Sequence, residues 1–118
     1  DKHAYDIIQP DVGLSGGIME TWKIATLAEA RGIPCILHSY SVGLGLGFAA
    51  NLQVAGAISL CDWVEYAHEP PAYSVEVRDS ILEEPILARD GEVEILNNPG
   101  LGVELAEGFL QKYAVLEE

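Results

Sequence analysis

The sequence predicts an α/β fold assembled from strand–helix units of the kind that make a (β/α) barrel, and three observations carry that prediction. Asp11, His38 and Glu65 stand at an even pitch, each 27 positions from the last. Each closes a short apolar run: Ile7-Ile8-Gln9-Pro10, Ile33-Pro34-Cys35-Ile36-Leu37 and Trp63-Val64. Between them lie stretches with helical spacing. In such a barrel the reactive groups crown the C-terminal ends of parallel strands. A barrel of about 250 residues in eight units repeats roughly every 31 residues, close to this pitch.

Taken in order, Asp6–Asp11 reads as a buried strand, followed by the loop Val12-Gly13-Leu14-Ser15-Gly16-Gly17. From Ile18 to Arg31 the pattern is helical, with Ile18, Trp22, Ala25 and Ala28 on one stripe that Ile24 and Leu27 widen. Gly32 supplies the stop and Pro34 prevents continuation. Ile33–Leu37 is an almost unbroken apolar run, as expected of a strand covered on both faces. A second helix runs from about Gly45 to Ala57 despite its glycines, and Leu60–Tyr66 is the third strand. After Tyr66 the composition changes, because His68-Glu69-Pro70-Pro71 breaks the alternation. Ile86–Ala88 and Val93–Leu96 read as a β-hairpin across Arg89-Asp90-Gly91-Glu92. Pro99-Gly100-Leu101-Gly102 is a turn and Ala106–Tyr113 a short terminal helix. The chain thus divides into a partial barrel, residues 1–66, and a tail, residues 67–118.

Three parallel strands leave open edges and cannot close a barrel that needs eight. The expectation is therefore a part of a larger protein. Absence of an initiator methionine points the same way, to processing, tag removal or a fragment.

At 118 residues with 49% apolar content, the chain suffices for one core. No run of about 18 uninterrupted apolar residues suggests a membrane span. The start, Asp1-Lys2-His3, lacks an export leader, and a cytoplasmic location is expected. Net charge is −13 and uneven: residues 1–61 hold three basic and five acidic side chains, residues 62–118 three and fourteen. That balance argues against nucleic acid, whose phosphates require a basic surface, and suits a solvated acidic face. Cys35 and Cys61 read as reduced, buried small hydrophobes rather than a disulfide or metal pair.

Asp11 before a glycine pair could simply accept hydrogen bonds from loop amides. His38, ending the most apolar strand, could be a satisfied core or loop residue, and Glu65 a surface or salt-bridged carboxylate. Together they acquire a second reading. Asp11 and His38 end successive strands about 4.8 Å apart, within hydrogen-bonding reach. An aspartate that orients one imidazole nitrogen leaves the other poised as a base. Glu65, if held protonated, donates a hydrogen bond to a developing oxyanion. Tyr40 and Tyr66, next to strand ends, could line a pocket or pack; His3 and His68 receive no role. Gly45-Leu46-Gly47-Phe48-Ala49-Ala50 fits the G-x-G-x-x-A dinucleotide pattern, with Glu65 20 residues on. It does not follow its strand directly, however, so a nucleotide site is disfavoured.

The segments Asp6-Ile7-Ile8-Gln9-Pro10-Asp11 with Gly16-Gly17-Ile18, Pro34-Cys35-Ile36-Leu37-His38-Ser39 and Trp63-Val64-Glu65 resemble the C-terminal part of the enolase superfamily, more narrowly its mandelate racemase branch. Pro99-Gly100-Leu101-Gly102-Val103 resembles a turn near that family's C-terminus. The resemblance implies a (β/α)₇β barrel with a capping domain, this chain supplying strands six to eight and the tail that returns to the cap. It implies that Asp11 and His38 form a base dyad and that Glu65 hydrogen-bonds a substrate carboxylate, with Tyr40 as a further substrate-binding candidate.

The same resemblance implies Mg²⁺ stabilising a dianionic intermediate. The metal ligands and a strand-two catalytic group are expected upstream of Asp1, so this chain alone is expected neither to bind the metal nor to turn over. Leu14 stands where mandelate racemase has a lysine, which disfavours that racemase. The expectation is an acid-sugar dehydratase, usually homo-oligomeric in this family, acting on a small carboxylate. The alternatives are a racemase or epimerase, and a catalytically silent remnant or interaction module.

Overall fold

A computed structural model describes residues 4–39 and 43–113. Its parallel layer forms where the sequence is most apolar. β1 (Ile36–Leu37) pairs in parallel with β2 (Trp63–Val64), Ile36 opposite Trp63 and Leu37 opposite Val64. On the other edge of β1 runs the segment that ends in Asp11. It is joined through a parallel bridge between Ile8 and Cys35 and through the amide of His38 donating to Pro10 O. All three apolar runs therefore lie side by side in the expected order.

Their extent is smaller than expected. Asp6–Asp11 makes a bridge rather than a full strand, with Tyr5 and Ile7 exposed, and Leu60–Tyr66 contributes two ladder residues. A parallel strand needs partners on its edges and cover on its faces, and among the described residues both outer runs have a strand neighbour on one side only. In the middle, Leu37 of β1 and Cys35 just before it are fully buried.

Helix α1 (Ile18–Glu29) begins after Gly17 and turns off at Gly32, whose amide bonds Glu29 O in a left-handed conformation. Its buried face differs from the expected stripe. Thr21, Ala25 and Ala28 point inward, whereas Ile18, Trp22, Ile24 and Leu27 are exposed. Small side chains let the helix backbone approach the layer beneath, and no described element covers the larger ones.

Helix α2 (Leu44–Ala55) is the centre of the molecule. Ala50 and Val54 join Ala25, Cys35, Leu37 and Ile58 in one core, and Phe48, Ala49 and Leu52 join Leu82 and Ile86 in a second. Burying a side chain such as Phe48 or Leu52 contributes about 1.5–3 kcal/mol. Gly45 permits the second core: a Cβ there would stand 2.7 Å from Leu82 Cδ1 and 2.9 Å from Asp79 Oδ1. The glycine that suggested a dinucleotide motif thus has a packing reason.

The tail wraps the outer side of α2. It contains α3 (Val75–Arg78), which the sequence reading missed, because four residues are too few to show a period. The hairpin pairs β3 (Ala88–Arg89) with β4 (Glu92–Val93), one residue closer to the turn on each side than expected. Asp90 and Gly91 both adopt positive φ, the conformation a two-residue Asp-Gly turn requires. α4 (Glu107–Tyr113) follows a bridge between Leu82 and Leu105.

One buried ionic cluster ties the tail to β2. The Arg78 guanidinium lies over the rings of Phe48 and Tyr66, at 4.5 and 4.4 Å from their centroids. It donates to both Asp79 carboxylate oxygens, at 2.7 and 2.6 Å, and to Ile86 O at 2.6 Å. Tyr66 Oη in turn donates to Ile86 O. No helix among the described residues is long and apolar enough to cross a membrane.

Candidate active site at the strand ends

Because the three apolar runs are parallel and adjacent, the residues that close them meet at one edge of the layer. His38 Nδ1 lies 3.3 Å from Asp11 Oδ2, and His38 Nε2 lies 3.7 Å from Glu65 Oε2. Asp11 is 3% exposed, while the His38 and Glu65 side chains are 33% and 37% exposed. One carboxylate is buried behind the ring and one flanks it where solvent or a small molecule can reach.

Asp11 is fixed from its own loop. Its Oδ1 accepts from the amides of Gly13 at 2.7 Å and Leu14 at 3.3 Å, which leaves Oδ2 to the imidazole. An ionised carboxylate can only accept hydrogen bonds. His38 therefore carries its proton on Nδ1 when neutral, with the lone pair on Nε2. One oxygen of Asp11 thus accepts from the loop amides and the other faces the imidazole.

Glu65 is held by Ser39. The Ser39 amide donates to Glu65 Oε2 at 3.2 Å, and the Ser39 hydroxyl donates to the Glu65 carbonyl. The separation between Nε2 and Glu65 exceeds an ordinary hydrogen bond. An imidazole oriented through one nitrogen, with the other half-exposed, has the geometry that acid–base chemistry uses.

Two residues of this arrangement escaped the sequence reading. Ser39 sits next to His38 and was quoted only as part of a motif. Asn51 is a polar position on an apolar helix, 1% exposed, and bonds the backbone beside both Asp11 and His38. That isolation was the available signal. Tyr73 is also near: burial raises its hydroxyl pKa, Arg78 opposes the rise, and the charges of Asp79 and Asp11 add to it. Tyr40 lies outside the described residues. Tyr66 packs on Phe48 edge-on and serves the Arg78 cluster, and it also lines a cavity with Trp63, Val64 and Val93.

Among the described residues, no group of three or more His, Cys, Asp or Glu side chains could hold a metal ion. Asp11 is spent on two amides and a ring nitrogen, and Glu65 stands on the far side of that ring. These residues do not fit a resident magnesium. Cys35 and Cys61 are free thiols, Cys35 buried as expected but Cys61 only half-buried at the end of its run. Their mutual hydrogen bond and burial raise the pKa of Cys35, while the same bond lowers that of Cys61 against the opposing effect of burial.

Comparison with known proteins identifies relatives of this arrangement. A family model described as enolase C-terminal domain-like matches residues 1–109. Arabinonate dehydratase of Saccharolobus solfataricus is 37% identical over 95% of this chain and 28% of its own length. D-xylonate dehydratase of Haloferax volcanii is 38% identical over 89% of this chain and 24% of its own length. D-galactarolactone cycloisomerase of Agrobacterium fabrum is 35% identical over 93% and 30%. Among solved structures, a mandelate racemase/muconate lactonizing enzyme-like protein from Rubrobacter xylanophilus superposes with a TM-score of 0.75. It is 31% identical, covering 98% of this chain and 28% of that one. An enolase from Pseudomonas fluorescens with bound magnesium, potassium and tartrate gives a TM-score of 0.59 at 30% identity, over 82% and 22%. The chain spans roughly a quarter of the length of the curated relatives it matches.

Proposed function

The chain belongs to the enolase C-terminal domain-like family, and from that membership we propose that the whole protein removes the proton α to a carboxylate of an acid sugar and then expels the β-hydroxyl as water. The observation that carries the reading is the Asp11–His38–Glu65 row at the ends of parallel runs. Relatives named as dehydratases of arabinonate and xylonate support the substrate class. In this reading the apolar runs are strands six to eight of the barrel, residues 67–118 return to the cap, and Tyr40 contacts substrate.

Each residue has a distinct task. Asp11 Oδ2 accepts from Nδ1–H and fixes the ring, so Nε2 takes the α-proton. The electron pair of that C–H bond moves into the carboxylate as an ene-diolate. Glu65, whose Oε2 is engaged by the Ser39 amide, carries a proton on Oε1 toward the substrate carboxylate and offsets the charge that develops there. The imidazolium now holds the proton the β-hydroxyl needs to leave as water, and the enol so formed tautomerises to a 2-oxo-3-deoxy acid. Magnesium, which the resemblance assigns to acids outside these residues, enters none of these assignments.

Incubating the full-length protein with a panel of acid sugars and measuring 2-oxo acid as its semicarbazone tests the reading. Product from at least one sugar acid is expected, and none from the His38→Asn protein. The cycloisomerase relative favours a second reading, isomerisation through the same abstraction. Deuterium entering the α-position without formation of 2-oxo acid would select it.

A further inference from the structure

Asn51 is the polar exception on the inner side of α2, and it is almost wholly buried. A carboxamide removed from water is destabilising unless its oxygen and nitrogen both find partners. Here both ends are paired, and both to backbone at the strand ends: Oδ1 accepts from the Val12 amide at 3.0 Å, and Nδ2 donates to the His38 carbonyl at 2.8 Å. Val12 follows Asp11 directly, so one side chain spans the backbones of the two residues whose side chains meet at 3.3 Å.

Its place in the layer explains why a span is needed. Backbone bonds between these runs go from Ile8 to Pro34 O, from Ile36 to Ile8 O and from His38 to Pro10 O. Beyond Pro10 the chain leaves the layer, the Leu14 and Ser15 amides turning back onto Asp11 O. Asn51 supplies the next link in place of a strand rung. We propose that Asn51 is a positioning residue for the Asp11–His38 dyad, setting the distance between the two strand ends and so the tautomer of His38; its catalytic consequence rests on the base role given to that dyad. The contact it protects is already long for a hydrogen bond, so a few tenths of an ångström of splay breaks it.

Asn51→Ala in the full-length protein, labelled with ¹⁵N-histidine and observed at a pH where the ring is neutral, tests the proposal. The expected result is loss of the fixed Nδ1–H tautomer of His38 in the imidazole ¹⁵N spectrum. With it, kcat falls about 100-fold while KM changes little, as a small misplacement of reacting groups produces. In an Asp11→Asn background the same substitution adds nothing to the tautomer change, because the contact it serves is gone. A His38 signal unchanged by Asn51→Ala overturns the proposal. Should that variant not fold, Asn51→Asp carries the test. Its carboxylate still accepts from Val12 but cannot donate to the His38 carbonyl, so loss of the tautomer is expected and its retention overturns the proposal. A wild-type protein inactive on every acid sugar, yet showing the tautomer change, sinks the functional reading and leaves the positioning role standing.

Discussion

At the strand ends, His38 lies 3.3 Å from Asp11 and 3.7 Å from Glu65, with a third of its side chain open to solvent. In the tail, the Arg78 side chain is fully buried, holds Asp79 at 2.6 and 2.7 Å and is sandwiched between two aromatic rings. Both are rows of ionisable groups fixed by backbone bonds, yet they are built for opposite ends. In the tail cluster burial alone would favour neutral arginine, but the hydrogen bonds and charges of Asp79 and Tyr66 together outweigh it and hold Arg78 charged. Such a cluster fastens the tail to α2 and β2. The strand-end row is left loose and reachable, with one side of the ring and one oxygen of Glu65 available to another molecule. Short, buried ion pairing marks the cluster that holds the fold, although Arg78 Nη1 is left there without a hydrogen-bond partner. Longer, half-exposed contacts mark the row to which chemistry is assigned.

Substitutions should separate the two. The largest effect on stability is expected from Arg78→Met, which leaves Asp79 buried without its partner. Removing one member of a buried pair costs about 3–5 kcal/mol, measurable by urea denaturation, while the folded fraction keeps its kcat. Asp11→Asn should do the reverse, lowering kcat about 100-fold through loss of the fixed tautomer, or roughly 2.7 kcal/mol in the barrier. Its urea midpoint should stay near wild type. Gly45→Ala sharpens the contrast, since its Cβ would press on Leu82 and Asp79. Overpacking of that kind costs about 1–3 kcal/mol, and thermal unfolding should show it with KM unchanged. Lys23→Ala, which removes an exposed pair with Glu20 at 2.6 Å, should alter stability by under about 0.5 kcal/mol. A large loss there would mean that exposed pairs, and not the buried cluster, hold this fold.

How much of this was legible follows the physics of each residue. Asp11, His38 and Glu65 could be read as neighbours because parallel strands bring their ends together whatever the loops do. The hairpin could be read because Asp90-Gly91 suits left-handed backbone. Trp22 could not be placed, since a helical stripe says which residues share a face but not whether anything covers it. Arg78 and Asp79 passed as ordinary charges of an acidic tail; their burial depends on Phe48 and Tyr66, which come from two other elements. Asn51 looked like an interruption in an apolar run, and its use appears only when Val12 and His38 are seen on either side of it.

The measurement that bears most directly on the strand-end row is exchange of the substrate α-proton in D₂O by the full-length protein, wild type against His38→Asn, with an acid sugar the wild type accepts. Wild type should incorporate deuterium at that carbon or release it with loss of water. The variant should be slower by about 10²- to 10⁴-fold, the contribution of a positioned acid–base group, with its fold intact by circular dichroism. Exchange at an undiminished rate in His38→Asn would contradict the account, because the α-proton would then be leaving through some other base.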